Sequence, residues 1–350
     1  TTNIRGGNKM SIQFTAHEEF FTFHDPTQER KLIDRKTEIR KDPLTGETSR
    51  IIFDPGAPFV PTDYTELAKE TAGSKCPFCP DNVQSFTPTF PETLVMGGRL
   101  TQGEAVVFPN LFPYSKHNAV VRMCDQHYVK LDEFTDSMIV ESFSAAHDYL
   151  NKVIAQDPNT AYASINWNYL PPSGGSILHP HIHVLASELP TNYQATTSSA
   201  AKQFHKTQGQ NFYDTLVKQE CELAERFIGT AGTIDWLHAF APKSHTDFIG
   251  IFNASSLDEL SDNNWKDLAN SMILFFRYFE SIGIASFNLG LFIPIAPNNS
   301  ERVHVRIVPR LTVGGLQTSD MNVFNFLHNE PLCLKVPEQT TQAVATYFAK

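Results

Sequence analysis

Short apolar runs and one long helical pattern follow each other along the first half of the chain. Residues 105–108 and 119–123 are rich in valine and have the length of strands. Apolar residues then recur at helical spacing, which predicts a helix over 132–155. A strand over 161–168, a Pro-Ser-Gly-Gly loop over 172–175 and a returning strand over 178–185 complete the order. Upstream, residues 11–75 are rich in turns, and Asp42-Pro43 and Thr45-Gly46 predict a turn before a short strand at 50–53.

The second half repeats this order of elements. Strands, a long helix, a strand and a returning strand with a histidine are predicted at 236–241, 248–252, 257–282, 285–290 and 303–309. We infer an internal duplication, with one unit over 11–190 and a second over 191–350. Arg306 stands where the second copy would carry another alternating histidine. One active centre per chain is therefore expected, in the first unit.

Three alternating histidines mark the returning strand of the first unit: His179, His181 and His183. Residues at i, i+2 and i+4 of a strand point to one face, so three imidazoles are expected to converge. One histidine in a strand is usually a polar surface residue, but three alternating histidines after a Gly-Gly-Ser loop favour a functional site. A neutral imidazole is a good nucleophile near pH 7. Its attack on an α-phosphate would give a covalent nucleotidyl-histidine.

The loop before the histidines offers hydrogen-bond donors for the charge that develops on a phosphoryl group. The hydroxyl of Ser176 and the backbone N–H groups of Gly174 and Gly175 are predicted to form a small anion nest.

The charge and the cysteines narrow the class of protein. The net charge of -10 argues against sequence-independent binding of nucleic acid, because such binding needs a basic surface. Five cysteines, two of them in Cys76-x-x-Cys79, suit a metal site in a reducing compartment better than a disulfide framework. A zinc site at these two thiolates would need two further ligands. The alternative interpretation is that the two cysteines are buried and do not bind a metal. No apolar run reaches about 18 residues and no signal peptide is recognised, so a cytoplasmic protein is expected.

Several short motifs follow one another in a fixed order along residues 38–311. They are Arg40 to Gly46, Cys76-x-x-Cys79, Phe108-Pro109-Asn110, Cys124 to His127, Asn168, Gly175-Ser176, His179-Pro180-His181, Ala241-Pro242 and Val303 to Pro309. Together they resemble the galactose-1-phosphate uridylyltransferase branch of the histidine-triad superfamily, which includes plant-type ADP-glucose phosphorylases. The histidine motif is specific, and the other motifs are weaker but keep the branch's order.

The resemblance implies a fold and a set of roles. The fold would be α+β, with two tandem histidine-triad-like halves that share one extended antiparallel sheet with helices packed on it. His181 would be the nucleophile, Ser176 would bind the phosphoryl group, and Asn110 and Asn168 would lie near the nucleotide. Zinc would be held by Cys76, Cys79, His127 and His179. His117 is the rival of His127 as a ligand, and Cys124 is expected to be an ordinary buried thiol. Members of the branch commonly form homodimers.

The chain departs from the branch at three points. His183 replaces the glutamine that follows the nucleophile in transferases, and a third histidine is typical of the superfamily's hydrolases. Two arginines that suit a sugar phosphate are absent from 53–61, and Lys243, Arg306 or Arg310 could replace them, although each is interpreted as a solvated surface residue. Leu111 stands where uridylyltransferases have aspartate, which weakly favours adenine over uracil.

These observations predict a nucleotidyltransferase that moves a nucleoside monophosphate from a nucleotide sugar or dinucleotide to phosphate or a sugar phosphate. The alternative enzyme is a nucleotide hydrolase, which His183 favours. A nucleotide sensor without turnover and a zinc-finger nucleic-acid binder are the remaining alternatives. The complete set of Ser176, His179 and His181 argues against the sensor, and the acidic charge argues against the nucleic-acid binder.

Overall fold

A computed structural model of the chain describes residues 3–4, 12–53, 59, 61–314 and 318–349. Residues 11 and 350, the outer bounds of the two predicted units, lie outside the described residues, as do 54–58 and 60 of the segment without arginines. Among the described residues, no helix is long and apolar enough to cross a membrane.

The strands are β1 (Asn3–Ile4), β2 (Thr15–Asp25), β3 (Lys31–Lys41), β4 (Thr48–Ile52), β5 (Leu100–Gln102), β6 (Ala105–Pro109), β7 (His117–Arg122), β8 (Tyr162–Tyr169), β9 (His181–Ser187), β10 (Phe227–Ala231), β11 (Ile234–His238), β12 (Phe248–Phe252), β13 (Ser286–Pro294), β14 (His304–Arg310), β15 (Thr312–Val313), β16 (Thr318–Ser319) and β17 (Leu332–Cys333). The helices are α1 (Thr65–Thr71), α2 (Pro80–Phe86), α3 (Asp136–Gln156), α4 (Asn192–Gln208), α5 (Phe212–Leu223), α6 (Asp262–Ser281), α7 (Val323–Phe326) and α8 (Pro337–Phe348).

An antiparallel sheet of ten described strands forms the centre of the α+β fold, which confirms the predicted fold class. Its strand order is β10-β11-β12-β14-β13-β8-β9-β7-β6-β5. The five strands of the second half occur in the same relative order as the five of the first half. This agreement is what a duplication would produce, while the boundary between 190 and 191 stays a prediction.

The two halves of the large sheet join where β8 pairs with β13. The pairing runs without a break from Tyr162↔Pro294 to Tyr169↔Phe287. It places Asn168 directly opposite Asn288 and Asn166 opposite Gly290. Alternate side chains of both strands therefore form two continuous surfaces, one apolar and one polar.

Helices α3, α6 and α8 cover the apolar surface. Phe143 of α3, Trp265 of α6 and Val344 of α8 belong to one buried cluster with Ile165 and Ile182 of the sheet. Burial of each such side chain contributes about 1.5–3 kcal/mol to folding, so this cluster is the main source of stability.

The two long helices begin later than the apolar stripe alone predicts. The Thr135 hydroxyl accepts a hydrogen bond from Met138 N at 3.3 Å, and this cap fixes the start of α3 at Asp136 rather than at 132. Ser261 likewise precedes α6, which starts at Asp262 rather than at 257. A short 3-10 turn comes before each helix, at Leu131–Glu133 and Leu257–Glu259. The apolar residues of these turns made the predicted helices start too early.

Helices α4 and α5 cover the polar surface in the second half and were not predicted. Ala201 of α4 and Phe212, Tyr213 and Leu216 of α5 pack on Leu237 and Ile251 of the sheet. The second half therefore has helices on both of its faces.

A second sheet, with order β1-β2-β3-β4-β17 among the described strands, replaces the turn-rich region predicted at the N-terminus. Strands β2 and β3 pair along their whole lengths, from Thr15↔Lys41 to Asp25↔Lys31. We call this pair of strands the ribbon. Where it does not contact the rest of the protein, the ribbon is exposed, and Phe20 and Phe21 are 62% and 70% accessible. The predicted turn is present, because Asp42 Oδ1 accepts hydrogen bonds from Leu44 N and Thr45 N.

A buried ion-pair network attaches the second sheet to the second half. Arg40 donates two hydrogen bonds to Glu338, at 2.8 and 3.0 Å. Arg226 donates to the same carboxylate at 2.7 Å and to Glu220 at 2.8 Å. The ring of Phe240 lies 4.7 Å from the Arg40 guanidinium and 5.1 Å from that of Arg226. Burial alone would raise the pKa of Glu338, yet its hydrogen bonds to the two arginines lower it to about 2.

We expect Glu338→Gln to lower the free energy of unfolding at pH 7 by about 3 kcal/mol, because two buried guanidiniums lose their shared carboxylate. The contribution of Glu338 is fully present above its unfolded pKa, near 4.5, and is lost as pH falls toward 2. The difference between variant and wild type should therefore shrink below pH 4.5 in urea titrations. Glu66→Gln is the control, since the Glu66–Lys69 pair is exposed, and it should change little. Equal effects of the two substitutions would contradict this account.

Candidate functional site

Strand β9 carries two of the three alternating histidines onto the polar surface of the large sheet. His181 begins the strand, and the ring centroids of His181 and His183 lie 5.2 Å apart. His179 lies in a bend before the strand, and its ring turns toward buried cysteines. The prediction that three imidazoles converge is therefore wrong for His179, because strand alternation does not extend to residues outside the strand.

His181 is fixed in one tautomer. Its Nδ1 lies 2.8 Å from the carbonyl oxygen of His179. A carbonyl only accepts, so Nδ1 carries the hydrogen and Nε2 keeps its lone pair. Nε2 has no hydrogen-bond partner within the described part of the chain. Burial lowers the pKa of His181, so the ring is neutral at pH 7. The edge of Phe78 packs against the imidazole, with ring centroids 5.2 Å apart.

His183 lies between Val120 of β7 and Asn166 of β8, its direct partners across the sheet. Its Nδ1 is buried and has no hydrogen-bond partner among the residues described. Burial, with a smaller effect of His181, lowers the pKa of His183 to about 4. At neutral pH the ring is therefore uncharged and can accept or relay a proton.

The loop between β8 and β9 follows the last paired residues of the two strands, next to the histidines. The strands are paired from Tyr162↔Ser187 to Asn166↔His183, and no pair of described residues follows toward the loop. Ser176 is exposed there, and its hydroxyl has no partner in the regions that the structure describes. A hydroxyl in this position is available to a ligand.

The predicted anion nest is not formed by the two glycines in this conformation. Gly174 N donates to Pro171 O at 2.9 Å, and Gly175 N donates to Leu170 O at 3.2 Å. Both amides therefore hold the loop itself. A Cβ at Gly175 would lie 2.9 Å from the carbonyl oxygen of Asn168, so the glycine is required for close packing of the loop on β8.

Asn110 holds the loop between β6 and β7. Its amide donates to Asn118 Oδ1 at 2.9 Å, and its Oδ1 accepts from Phe112 N at 3.2 Å. Its predicted contact with a nucleoside stays a prediction. The sequence analysis did not identify a group of exposed apolar side chains on this loop, although several apolar residues follow Asn110. They are Leu111 (64% exposed), Phe112 (80%) and Tyr114 (63%), and the ring of Tyr114 lies 5.9 Å from that of His183.

Four predicted ligands meet directly behind His181. The ligand atoms of Cys76, Cys79, His127 and His179 all lie within 4.8 Å of one another. Sulfur-to-nitrogen distances are 3.7 Å for Cys76–His179, 3.5 Å for Cys79–His127 and 3.9 Å for Cys79–His179. The edges of a tetrahedral zinc site with these ligands measure about 3.3–3.8 Å. The donor set and its spacing therefore fit a closed zinc site.

Neighbouring groups orient both imidazoles for this purpose. His179 Nε2 lies 2.7 Å from Cys124 O, so it carries the hydrogen and Nδ1 presents its lone pair to the thiols. His127 Nε2 lies 3.0 Å from Thr71 Oγ1. Thr71 donates its own proton to Leu67 O at 2.8 Å, so its oxygen accepts from His127. Such outer hydrogen bonds are typical of metal-binding histidines.

His117, the rival of His127, has another partner, and so do two further residues that could bind a metal, Cys124 and His304. His117 Nε2 lies 2.8 Å from Asp157 Oδ2, away from the cluster. Cys124 is buried, and burial raises its pKa to about 12. His304 contacts Arg302 O and Tyr193 Oη with its two nitrogens. The four residues behind His181 are the one such cluster found in the described residues.

Two of the three cations proposed to replace the missing arginines are held in buried ion pairs rather than solvated. Arg306 is buried against Asp247, and Arg310 pairs with the buried Asp320 at 2.6 Å. Lys243 pairs with Glu47 at 2.9 Å, but both side chains stay about one-third exposed. The interpretation as solvated surface residues is therefore wrong for Arg306 and Arg310, because a buried carboxylate packs against each guanidinium.

Comparisons with known proteins agree with this architecture. An uncharacterised protein of Archaeoglobus fulgidus is 34% identical over 321 residues, which cover 91% of this chain and 95% of that protein. An ADP-glucose phosphorylase of Arabidopsis thaliana, solved with bound ADP-glucose, superposes with a TM-score of 0.68 at 17% identity, over 88% of this chain and 98% of that one. A uridylyltransferase superposes with a TM-score of 0.63 at 20% identity, over 89% and 98% of the two chains. No protein-family model matches the chain.

We expect the purified protein to contain about one zinc ion per chain, and Cys76→Ser to lower both the zinc content and the melting temperature, because a closed site loses a thiolate. Metal analysis and thermal unfolding measure the two effects. Cys221→Ser is the matched control, since Cys221 is exposed on α5. Unchanged zinc content in Cys76→Ser would place the metal elsewhere.

Proposed function

Because the chain belongs to the family of the Archaeoglobus fulgidus protein and has the fold of the uridylyltransferase-like branch of the histidine-triad superfamily, we propose that it is a nucleotidyltransferase. It would move a nucleoside monophosphate from a nucleotide sugar or dinucleotide to phosphate or a sugar phosphate. One observation carries the proposal: His181 is neutral, its Nδ1 is bound to a carbonyl, and its Nε2 has no hydrogen-bond partner among the residues described.

The proposed reaction has two displacements at one phosphorus atom. His181 Nε2 attacks the α-phosphate, and the bond to the leaving phosphate oxygen breaks, which gives a nucleotidyl-histidine and a sugar phosphate or nucleotide. A phosphate oxygen of the acceptor then attacks the same phosphorus, and the phosphorus–nitrogen bond breaks. The two steps restore His181, and each replaces one bond to phosphorus by another.

The surroundings of His181 supply the other roles. Ser176 and Asn168 would donate hydrogen bonds to phosphoryl oxygens. Gly174 and Gly175, whose amides hold the loop itself, would position Ser176 for this contact. Asn110 would contact the nucleoside. Zinc would be held by Cys76, Cys79, His127 and His179, and it would fix the loops behind the nucleophile without taking part in bond making.

The finer substrate assignment remains part of the proposal. Leu111 favours an adenine nucleotide, and the pairing of Lys243, Arg306 and Arg310 with carboxylates argues against galactose 1-phosphate as the acceptor. The two-unit division, a homodimer and a cytoplasmic location are likewise proposals.

A hydrolase is the second candidate, and His183 is the observation that favours it. Its neutral ring has a buried Nδ1 without a partner among the described residues, and it adjoins the nucleophile. Such a nitrogen can accept a proton from water that attacks the intermediate. The product would then be a free nucleoside monophosphate.

We expect His181→Ala to abolish the covalent intermediate and leave the fold intact. The wild-type protein would gain the mass of one nucleoside monophosphate after brief incubation with ADP-glucose, UDP-glucose, GDP-sugars or diadenosine polyphosphates, in intact-protein mass spectra quenched without acid. His17→Ala is the matched control, because this side chain is 56% exposed on β2, and it should form the adduct normally.

The outcomes of this experiment separate the candidates. An adduct on the wild type but not on His181→Ala supports nucleotidyl transfer and identifies the base. Release of free nucleoside monophosphate without an adduct supports the hydrolase. An adduct that persists in His181→Ala would refute the assignment of the nucleophile.

We expect His183→Gln to shift the intermediate from water toward phosphate acceptors, because an amide cannot accept the proton of an attacking water. The ratio of nucleoside monophosphate to nucleoside diphosphate, measured with inorganic phosphate present, should fall by about 10-fold or more. An unchanged ratio would remove His183 from the hydrolytic step.

A further inference from the structure

A chain of hydrogen bonds connects the second half of the protein to the proposed site at Asn168. Asn288 on β13 lies directly opposite Asn168 on β8. Asn288 Nδ2 donates to Asn168 Oδ1 at 2.7 Å and to Ser173 O at 2.9 Å. Arg310 Nη1 donates to Asn288 Oδ1 at 2.8 Å. The side chains of Arg310, Asn288 and Asn168 thus form a relay across the junction of the two halves.

The relay determines which end of each amide faces which neighbour. Arg310 only donates, so the atom of Asn288 that faces it must be the oxygen. The carbonyl of Ser173 only accepts, so the atom of Asn288 that faces it must be the nitrogen. Both contacts therefore require the same orientation of the Asn288 amide. That nitrogen also faces Asn168, whose contacting atom is therefore the oxygen. The amide NH2 of Asn168 consequently points away from Asn288.

The start of the relay is held rigidly. Arg310 donates to both oxygens of Asp320, with distances of 2.6–3.1 Å. The side chain of Asp320 is 1% exposed, and it also accepts from Leu311 N at 3.0 Å. A buried carboxylate with this many donors leaves Arg310 little freedom to turn. Asn288 therefore faces a fixed guanidinium.

The end of the relay lies on the sheet surface that carries His181 and His183. Asn168 is two residues after Asn166, which pairs with His183. The pairing of β8 with β9 ends there, so Asn168 and His181 are the next residues of the two strands on this surface and border the unpaired gap. The NH2 of Asn168 has no partner within the described regions. It is the donor that the relay presents to this gap.

We propose that Asn288 and Arg310 are positioning residues, which hold Asn168 so that its NH2, rather than its carbonyl oxygen, faces the phosphoryl group of the substrate. This inference rests on the proposed function. A carbonyl oxygen in that place would repel the phosphoryl oxygens, whereas a fixed donor stabilises the charge that develops on them. The second half, which lacks the histidine cluster, thus contributes to the chemistry of the first.

Asn288→Asp is the informative substitution. The aspartate keeps the shape of the side chain and strengthens the contact with Arg310, although it loses the hydrogen bond to Ser173 O. Thermal unfolding checks that the variant folds. It presents oxygen instead of nitrogen to Asn168, which must then rotate to donate and turns its own oxygen to the gap. We expect the rate of adduct formation at saturating donor to fall on the order of 100-fold, with a much smaller change in the concentration for half-saturation.

A double-mutant cycle distinguishes positioning from a merely structural role. Asn168→Ala removes the donor and should lower the rate to a similar extent. Addition of Asn288→Asp to Asn168→Ala should then lower the rate no further, because Asn288 acts through Asn168. Arg310→Lys should lower the rate as well, since one ammonium cannot hold Asp320 and Asn288 as a guanidinium does. Asn263→Asp is the control, as an exposed asparagine on α6, on the opposite face of the sheet.

Each other outcome overturns a specific statement. If the rate losses of Asn168→Ala and Asn288→Asp multiply in the double variant, Asn288 does not act through Asn168. If Asn288→Asp forms the adduct at the wild-type rate, the relay has no role. If the wild-type protein forms no adduct with any donor, the proposed function fails, and the relay has no reaction to serve.

Discussion

The antiparallel pairing of β8 with β13 is the constraint on which the rest of the structure depends. Each half of the large sheet would otherwise end in a long edge strand with unpaired backbone groups. Their union from Tyr162↔Pro294 to Tyr169↔Phe287 makes one sheet, and the helices of both halves cover it as one layer. The same register sets side chains from the two halves opposite each other on the polar surface. A shift of the strand register by one residue would turn these side chains to the face that the helices cover. One register therefore determines both the candidate site and the core.

The two halves use the polar surface differently. In the first half β9 presents His181 and His183 next to a loop, and Cys76, Cys79, His127 and His179 form a cluster that could hold a metal. In the second half the corresponding strand, β14, presents His304 and Arg306, whose polar groups are bound to residues of the protein. Helices α4 and α5 close over that region. The polar groups of β14 thus serve contacts within the protein, and under the proposal the second half would contribute to the chemistry through the junction.

Several elements that the sequence predicted have a one-sided apolar pattern, and two that it missed lack such a pattern. Helix α3 and the strands of the large sheet carry clear apolar patterns. Helix α4 buries Gln194, Thr197, Ser198 and Ala201, which do not form an apolar stripe. The ribbon of β2 and β3 is exposed on both faces, so it shows no alternation. At the site, the resemblance supplied the partners of Cys76-x-x-Cys79, although His179 lies 103 residues away. The relay through Arg310 was missed, because hydrogen bonds between distant polar residues leave no periodic signal.

The ion pair between Arg40 and Glu338 has a consequence for synthesis of the chain. These residues are 298 positions apart, and the parallel pairing of β4 with β17 is similarly distant. At about 5–20 residues per second, the ribosome releases the ribbon roughly 15–60 s before its anchor. During that interval the edge of β4 is unpaired and open to other chains. Correct attachment of the ribbon therefore depends on the last part of the chain to be synthesised.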